Sequence, residues 1–301
     1  MTEADKIQYR ASLKHPDVEE TLDLWFYRPM GFRVALLGRR LGWTPNQITV
    51  ASIVLGIGCG LLCYPTDWRL NLIGMGLLVL ADIGDSADGQ LARLTQQYSQ
   101  LGRILDGVAG DVWFITIYVC LALRLTPEWG SWAWLLASAA GACHSQQAAM
   151  ADYYRQFHLL CAQGKAGSEL DDAVAVAKQY ADTSFRADPI QKVFLWFYRN
   201  YTSSQERLTP QLQRLRRALT LLPADEASRL LARLRPLSRP LMPIANALTF
   251  NCRAITLLVS LMLGRPWLYW VAELTLFNAL AVFMLVSHER MSRRAVRTLQ
   301  L

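Results

Sequence analysis

Charge is scarce in this 301-residue chain. Asp, Glu, Lys and Arg make up 18% of it, against about 25% in soluble domains. The shortage is concentrated. Asn46 to Thr66 runs 21 residues without a formal charge, and Trp129 to Ala151 runs another 23. About 20 apolar residues are enough to span a bilayer. A soluble enzyme, a disordered chain and a secreted disulfide scaffold are all excluded on this ground. The six cysteines form no Cys-x2-Cys pair and no zinc-like spacing, so they read as small core residues. The first 45 residues are too polar and too charged for a secretory signal. There is no internal repeat and no low-complexity tract. The net charge of +7 calls for no nucleic acid; in a membrane protein Lys and Arg first mark the cytoplasmic side.

What is present is a set of apolar blocks. About six candidate spans stand out: Asn46–Tyr64, Asn71–Leu91, Leu101–Leu123, Trp132–Met150, Asn246–Leu263 and Trp267–Val286. The expected fold is an all-α polytopic membrane protein with an N-terminal interfacial helix and a helical cytoplasmic insert. Basic residues fix the expected orientation. The N-terminal arm, the second-to-third link, the segment from Arg155 to Arg239 and the tail hold 27 Lys and Arg; the other links hold three. Both termini and the insert are therefore expected in the cytoplasm. The chain divides into an arm (1–43), four spans (44–155), the insert (156–239) and two spans with a basic tail (240–301).

Glu19–Arg40 mixes Leu, Trp and Phe with Arg, the pattern of a helix lying in the membrane surface, with Pro29 expected to kink or break it; the alternative is a packed juxtamembrane helix with no chemistry. Within the insert, Asp171–Tyr180 and Leu212–Leu234 read as helices, and Val193–Tyr201 as an interfacial aromatic stretch.

Five acids interrupt the second and third spans: Asp82, Asp85, Asp88, Asp106 and Asp111. A charge at the bilayer centre costs at least about 2.5–3.5 kcal/mol on insertion scales. Arg93 and Arg103 can pair with two of the acids, and the rest point to bound cations. Asp85 and Asp88 are three residues apart on one helix face. Clustered hard oxygen ligands suit Mg²⁺ or Mn²⁺ better than zinc; the bland alternative is a structural ion-pair cluster.

The acids sit in the run Asp85-Ser-Ala-Asp88-Gly89-Gln-Leu-Ala92-Arg93, then eight residues, then Gly102-Arg-Ile-Leu-Asp106. This resembles the signature of the CDP-alcohol phosphatidyltransferases, Asp-x2-Asp-Gly-x2-Ala-Arg-x8-Gly-x3-Asp-x3-Asp. Every fixed position matches except the last, where Gly110 stands in place of the fourth Asp. Thr44-Pro45-Asn46 and the six-span layout are also similar to that family. The resemblance is specific over residues 44–125. The nearest acid to the missing position is Asp111, about 140° round a regular helix from Asp106. A π-bulge would restore the alignment, and Gly107 and Gly110 make one cheap. The expectation is that Asp111 replaces the fourth acid; the alternatives are Asp82 in that role, or an enzyme that has lost activity.

The resemblance implies that an alcohol attacks the phosphorus carrying the lipid in a CDP-linked donor and that CMP leaves. By the same carry-over, Asp85, Asp88, Asp106 and Asp111 would hold two Mg²⁺ or Mn²⁺ ions, with Asp111 also a candidate base. Gly89, Ala92, Arg93 and Gly102 would receive the nucleotide and its diphosphate. Arg93 alternatively pairs with Asp88. Arg155 and Arg253 are candidates for the acceptor and would suit one bearing its own phosphate, such as inositol phosphate or glycerol phosphate. Arg253 alternatively pairs with Glu273. His144 reads as a hydrogen-bonded core residue. The implied protein is a phospholipid-synthesis enzyme of the bacterial inner membrane. It would act on CDP-diacylglycerol or a related CDP-lipid and a polar alcohol among membrane lipids, and family precedent suggests a homodimer. The rivals are a membrane prenyltransferase acting on a diphosphate and a non-enzymatic cation transporter.

Overall fold

The computed structural model describes residues 3–298 apart from 14, 99, 169 and 187, and of residues 3–6, 100, 101, 103, 104, 106 and 166 the backbone alone. Among the described residues every regular element is helical, as the apolar blocks require. Five segments are long and apolar enough to cross a membrane: Pro45–Leu62, Trp68–Thr95, Gly107–Trp129, Ala224–Met262 and Trp267–Thr298. The expected fourth span, Trp132–Met150, lies within the 33-residue helix Ser131–Gln163 (α6). That helix is about 50 Å long. Its His144, Gln146 and Gln147 dilute the apolar stretch, and it is not among the five.

The chain forms two compact units. The first comprises Met1–Ser145 and Phe250–Leu276. After the short helix Glu3–Ser12 (α1) comes a π turn, Asp23–Tyr27, running straight into Arg28–Leu41 (α2). The helical run is thus continuous from Thr21 to Leu41 and Pro29 lies inside it without ending it; the π turn just before Pro29 is the local distortion that takes up the hydrogen bond its ring nitrogen cannot donate. Gly42, at φ +72°, ends the helix. Thr44 then starts Pro45–Cys63 (α3) with a capping box: its side chain accepts from the Gln47 amide, and the Gln47 side chain accepts from the Thr44 amide. Trp68–Thr95 (α4) starts on the Asp67 cap. Gln100–Trp129 (α5) follows.

Small residues bring these helices together. A Cβ at Gly56 would lie 2.0 Å from the Trp113 ring, and one at Gly60 would lie 2.6 Å from Thr116. α5 thus rides on the glycine side of α3, and α3 also packs along α4. Cys59, Leu78, Ile117 and Leu121 fill the core, joined by Tyr269 and Trp270 from Trp267–Ala272 (α13), which follows Phe250–Met262 (α12).

The second unit comprises Gln146–Thr249 and Phe277–Leu301. Its helices are the end of α6, Ala173–Asp182 (α7), Pro189–Leu208 (α8), Pro210–Leu221 (α9), Ala224–Ser238 (α10), Met242–Ala247 (α11) and Asn278–Thr298 (α14). The single helix expected over Leu212–Leu234 is two, because the chain breaks at extended Leu222 and Pro223. Glu289 on α14 accepts from the Gln211 and Leu212 amides at 2.9 and 3.1 Å, satisfying donors that α9 leaves open at its start.

Candidate active site

The motif lies on α4 and its residues divide cleanly. Ser86, Ala87, Asp88, Gln90 and Leu91 are buried; Asp82, Asp85, Gly89, Ala92 and Arg93 are partly exposed. The second set recurs at helical spacing and shares one face. Packing explains the first set. Arg28 of α2 donates to Ser86 Oγ (3.3 Å) and to Glu19 (3.1 Å), and Gln90 donates to the Arg28 carbonyl (3.2 Å). Gly31 of α2 sits against Ser86, where a Cβ would come within 2.8 Å of Oγ. On the other flank, the Thr49 hydroxyl of α3 meets Asp88 Oδ2, with Asp88 3% and Thr49 2% exposed. An open stripe therefore runs between α2 and α3. Asp85, Gly89, Ala92 and Arg93 stand along it, and Asp88 is fixed at its edge.

Gly89 has room to spare. Among the described residues a Cβ there would meet only the Arg93 guanidinium, at 3.5 Å, which is ordinary contact. Gly31, Gly56 and Gly60 are glycines because neighbouring protein atoms leave no space. Gly89 has no such reason among the described residues, and its bare side faces the stripe.

Gly102 is partly exposed, and the side chain of Asp106 lies outside the described residues. The backbone of α5 still gives Asp106 a register. It falls seven residues before Trp113 on the same line of the helix. Trp113 meets Gly56, and Thr49 falls seven residues before Gly56. α3 and α5 run in the same sense, since Gly56 faces Trp113 and Gly60 faces Thr116. Asp106 is thus level with Thr49, the residue that holds Asp88.

The expected π-bulge between Asp106 and Asp111 is not formed: α5 is an α-helix throughout. Among the described residues nothing lies within 4 Å of a Cβ at Gly107 or Gly110, so no described neighbour forces an extra residue into the turn. Asp111 is left on the exposed side with Val108 and Ile115, away from the line of Asp106. Among the described residues no three His, Cys, Asp or Glu form a metal-holding group.

Asp82 has neighbours that local sequence patterns do not show. The charges acting on it are those of Asp85, Asp23, Arg28 and Glu20. Asn251, 6% exposed, donates to Glu20 at 2.7 Å and to Asp23 at 2.8 Å. Burial pushes the Tyr27 hydroxyl well above its ordinary range, and the carboxylates of Asp82, Asp23 and Glu20 add to that. The N-terminal arm therefore brings polar groups to the end of the stripe.

Arg253 makes the expected pair with Glu273. Its Nη1 lies 2.9 Å from both carboxylate oxygens of Glu273, and both residues are buried. Glu273 opens a π segment, Glu273–Phe277. His144 stands 3.6 Å from Glu273 and 3.3 Å from the Tyr118 hydroxyl, the hydrogen-bonded core role expected of it. Arg155 belongs to the second unit.

Comparison with known proteins bears on the same region. The family model described as CDP-alcohol phosphatidyltransferase matches residues 42–153. A "Bifunctional IPC transferase and DIPP synthase" of Aquifex aeolicus is 30% identical over 99 residues, 33% of this chain and 22% of that protein. A "Putative cardiolipin synthase" of Mycobacterium bovis, and one of Mycobacterium tuberculosis, are 29% identical over 98 residues, 31% of this chain and 44% of each relative. The matched stretch thus spans less than half the length of these relatives. It contains α3, α4, α5 and the stripe just described, and over residues 42–153 the chain matches the model of the CDP-alcohol phosphatidyltransferase family.

Proposed function

We propose that this protein transfers a phosphatidyl, or closely related phospholipid, group from a CDP-linked lipid to a polar alcohol and releases CMP. The observation that carries the reading is the division of α4. The positions fixed in the family signature, Asp85, Gly89, Ala92 and Arg93, share the open stripe, with Asp88 at its edge. The variable positions between them are packed against α2 and α3. A packing motif has no reason to sort its residues in this way.

The donor set fits a hard divalent cation such as Mg²⁺ or Mn²⁺, since it consists of carboxylates. Asp85, Asp88 and Asp106 would hold it, and when bound it would offset the charge of the donor's diphosphate. Thr49 fixes the rotamer of Asp88 in advance, so less ordering is needed on binding. Gly89 and Ala92 let the nucleotide lie against the helix backbone, and Arg93 stands where it can meet a phosphate. Asp82, on the face of Asp85, is the fourth acid in this account, and Asp111 is not.

The acceptor reading changes with Arg253. Its Nη1 is held by Glu273, which counts against its meeting a phosphate on the acceptor. The groups beside Asp82 are the carboxylates of Glu20 and Asp23, the amide of Asn251 and the Arg28 guanidinium, which already donates to Glu19 and Ser86, so acids outnumber cations there. They suit the hydroxyls of a polar head group better than a second phosphate. The test is CMP release from CDP-diacylglycerol by the full chain in vesicles, over a panel of alcohols offered free and as phosphate esters. Turnover with a free alcohol supports the reading. Turnover with phosphate esters alone overturns the acceptor assignment, and turnover with no acceptor overturns the function.

A further inference from the structure

The second unit carries an apolar surface that the proposed chemistry does not use. It lies on the first two turns of α8. Ile190, Val193, Trp196 and Phe197 are 62, 47, 46 and 62% exposed. At 100° per residue they fall within an arc of about 120°. The opposite side of the helix is anchored: Leu195, Thr202 and Gln205 are buried, and Gln205 donates to the Ala149 carbonyl at 2.8 Å. The aromatic stretch of the sequence is thus split in two. Phe194 stacks on Tyr198, and Tyr198 on Tyr201, as a line within the unit. Trp196 and Phe197 pack edge to face, 4.8 Å apart, as an exposed plate of two rings.

Cations rim the plate. Lys192 and Arg199 lie over the Tyr180 ring at 3.7 and 4.8 Å, and Arg186, just before the helix, is exposed. Past Phe197 the same face turns polar, with Asn200 and Arg207. Residues 156–239 hold 13 basic residues against eight acidic.

We infer that this face of α8 docks on the surface of an anionic phospholipid bilayer, with Ile190, Val193, Trp196 and Phe197 entering the headgroup–acyl boundary. Tryptophan beside aliphatic residues with a basic rim is the composition that binds there. Arginine at the edge can lay its stem along apolar surface and reach phosphates with its charged end, while Lys192 is held by the Tyr180 carbonyl. The same charge argues against the obvious rival, a second copy of this chain. Two such segments, each strongly positive, repel one another, whereas an anionic membrane attracts both.

The experiment places a photoreactive benzoylphenylalanine at position 197 of the full chain in phosphatidylglycerol–phosphatidylcholine vesicles. The same residue at position 72, on the exposed side of the spanning helix α4, serves as the reference. The expected result is a phospholipid adduct at 197 comparable with that at 72. It should fall several-fold after Trp196→Glu or Val193→Glu, and also when the vesicles are phosphatidylcholine alone, with the adduct at 72 unchanged. A probe at position 190 should behave as the one at 197, which guards against a local effect of either substitution. Lipid capture at 72 with none at 190 or 197 overturns the inference. So does capture of a second copy of the chain at 197, which would make the face a dimer contact.

Discussion

Two glycine-to-alanine substitutions, one turn of reasoning apart, separate a ligand surface from a packing surface. At Gly89 an added methyl meets nothing closer than the Arg93 guanidinium at 3.5 Å. The folded protein should accept it, and Ala favours a helix over Gly by about 0.8–1.0 kcal/mol. Gly89→Ala is therefore expected to unfold at the same temperature as wild type or slightly above. Its methyl, however, projects into the stripe where the donor's diphosphate is proposed to lie. Overpacking by one methyl costs about 1–3 kcal/mol, which at the donor site is a loss of about 5- to 150-fold in kcat/KM. Gly56→Ala is the mirror case. Its Cβ would fall 2.0 Å from a Trp113 ring that is 2% exposed. The same overpacking cost, less the helix gain, leaves a net loss of up to about 2 kcal/mol in stability. Its activity should fall only as far as its folded fraction does. The assays are CMP release under donor-limited conditions and thermal unfolding in detergent. Wild-type kcat/KM in Gly89→Ala refutes the assignment of that face to the donor. Loss of activity in step with loss of fold refutes it as well.

Three other substitutions probe the rest of the site. Thr49→Val keeps the shape but removes the hydroxyl that meets Asp88. It should raise the Mg²⁺ concentration needed for half-maximal rate, and Thr49→Ser should restore it. Asp111→Asn should keep most of the turnover and Asp82→Asn should not; the opposite order would return the fourth-acid role to Asp111. Glu273→Gln leaves the buried Arg253 guanidinium without its anion, a loss of about 3–5 kcal/mol in thermal unfolding experiments. Arg253→Met combined with Glu273→Leu should recover most of that. An acceptor KM raised specifically by the double change would restore Arg253 to the acceptor site.

How much of this was written in the sequence depends on distance along the chain. The stripe on α4 was legible because its residues recur at three- and four-residue spacing on one helix. The start of α3 was legible because Thr44, Pro45 and Gln47 form a local cap. Thr49 was not, since its contact with Asp88 crosses 39 residues. The bonds from Asn251 to Glu20 and Asp23 cross 231 and 228 residues, so those acids counted only as charges on an amphipathic arm. Arg253 could be read two ways until the π segment at Glu273 placed a carboxylate against it. The bulge expected near Asp111 shows the limit of a permissive residue: Gly107 and Gly110 allow a wide turn but supply no contact that requires one. Pro223 was a signal passed over, and it divides α9 from α10.

The central claim, that the stripe on α4 binds a CDP-linked lipid for transfer, is tested most directly by following CMP and the lipid product together. The full chain and its Asp88→Asn variant are each given CDP-diacylglycerol, an alcohol and Mg²⁺ in vesicles. The wild-type chain should form CMP and a new phospholipid one for one. Both should stop on chelation, and both should be absent with Asp88→Asn although that variant still inserts and folds. CMP release that survives Asp88→Asn, or that proceeds without a matching phospholipid, would contradict it.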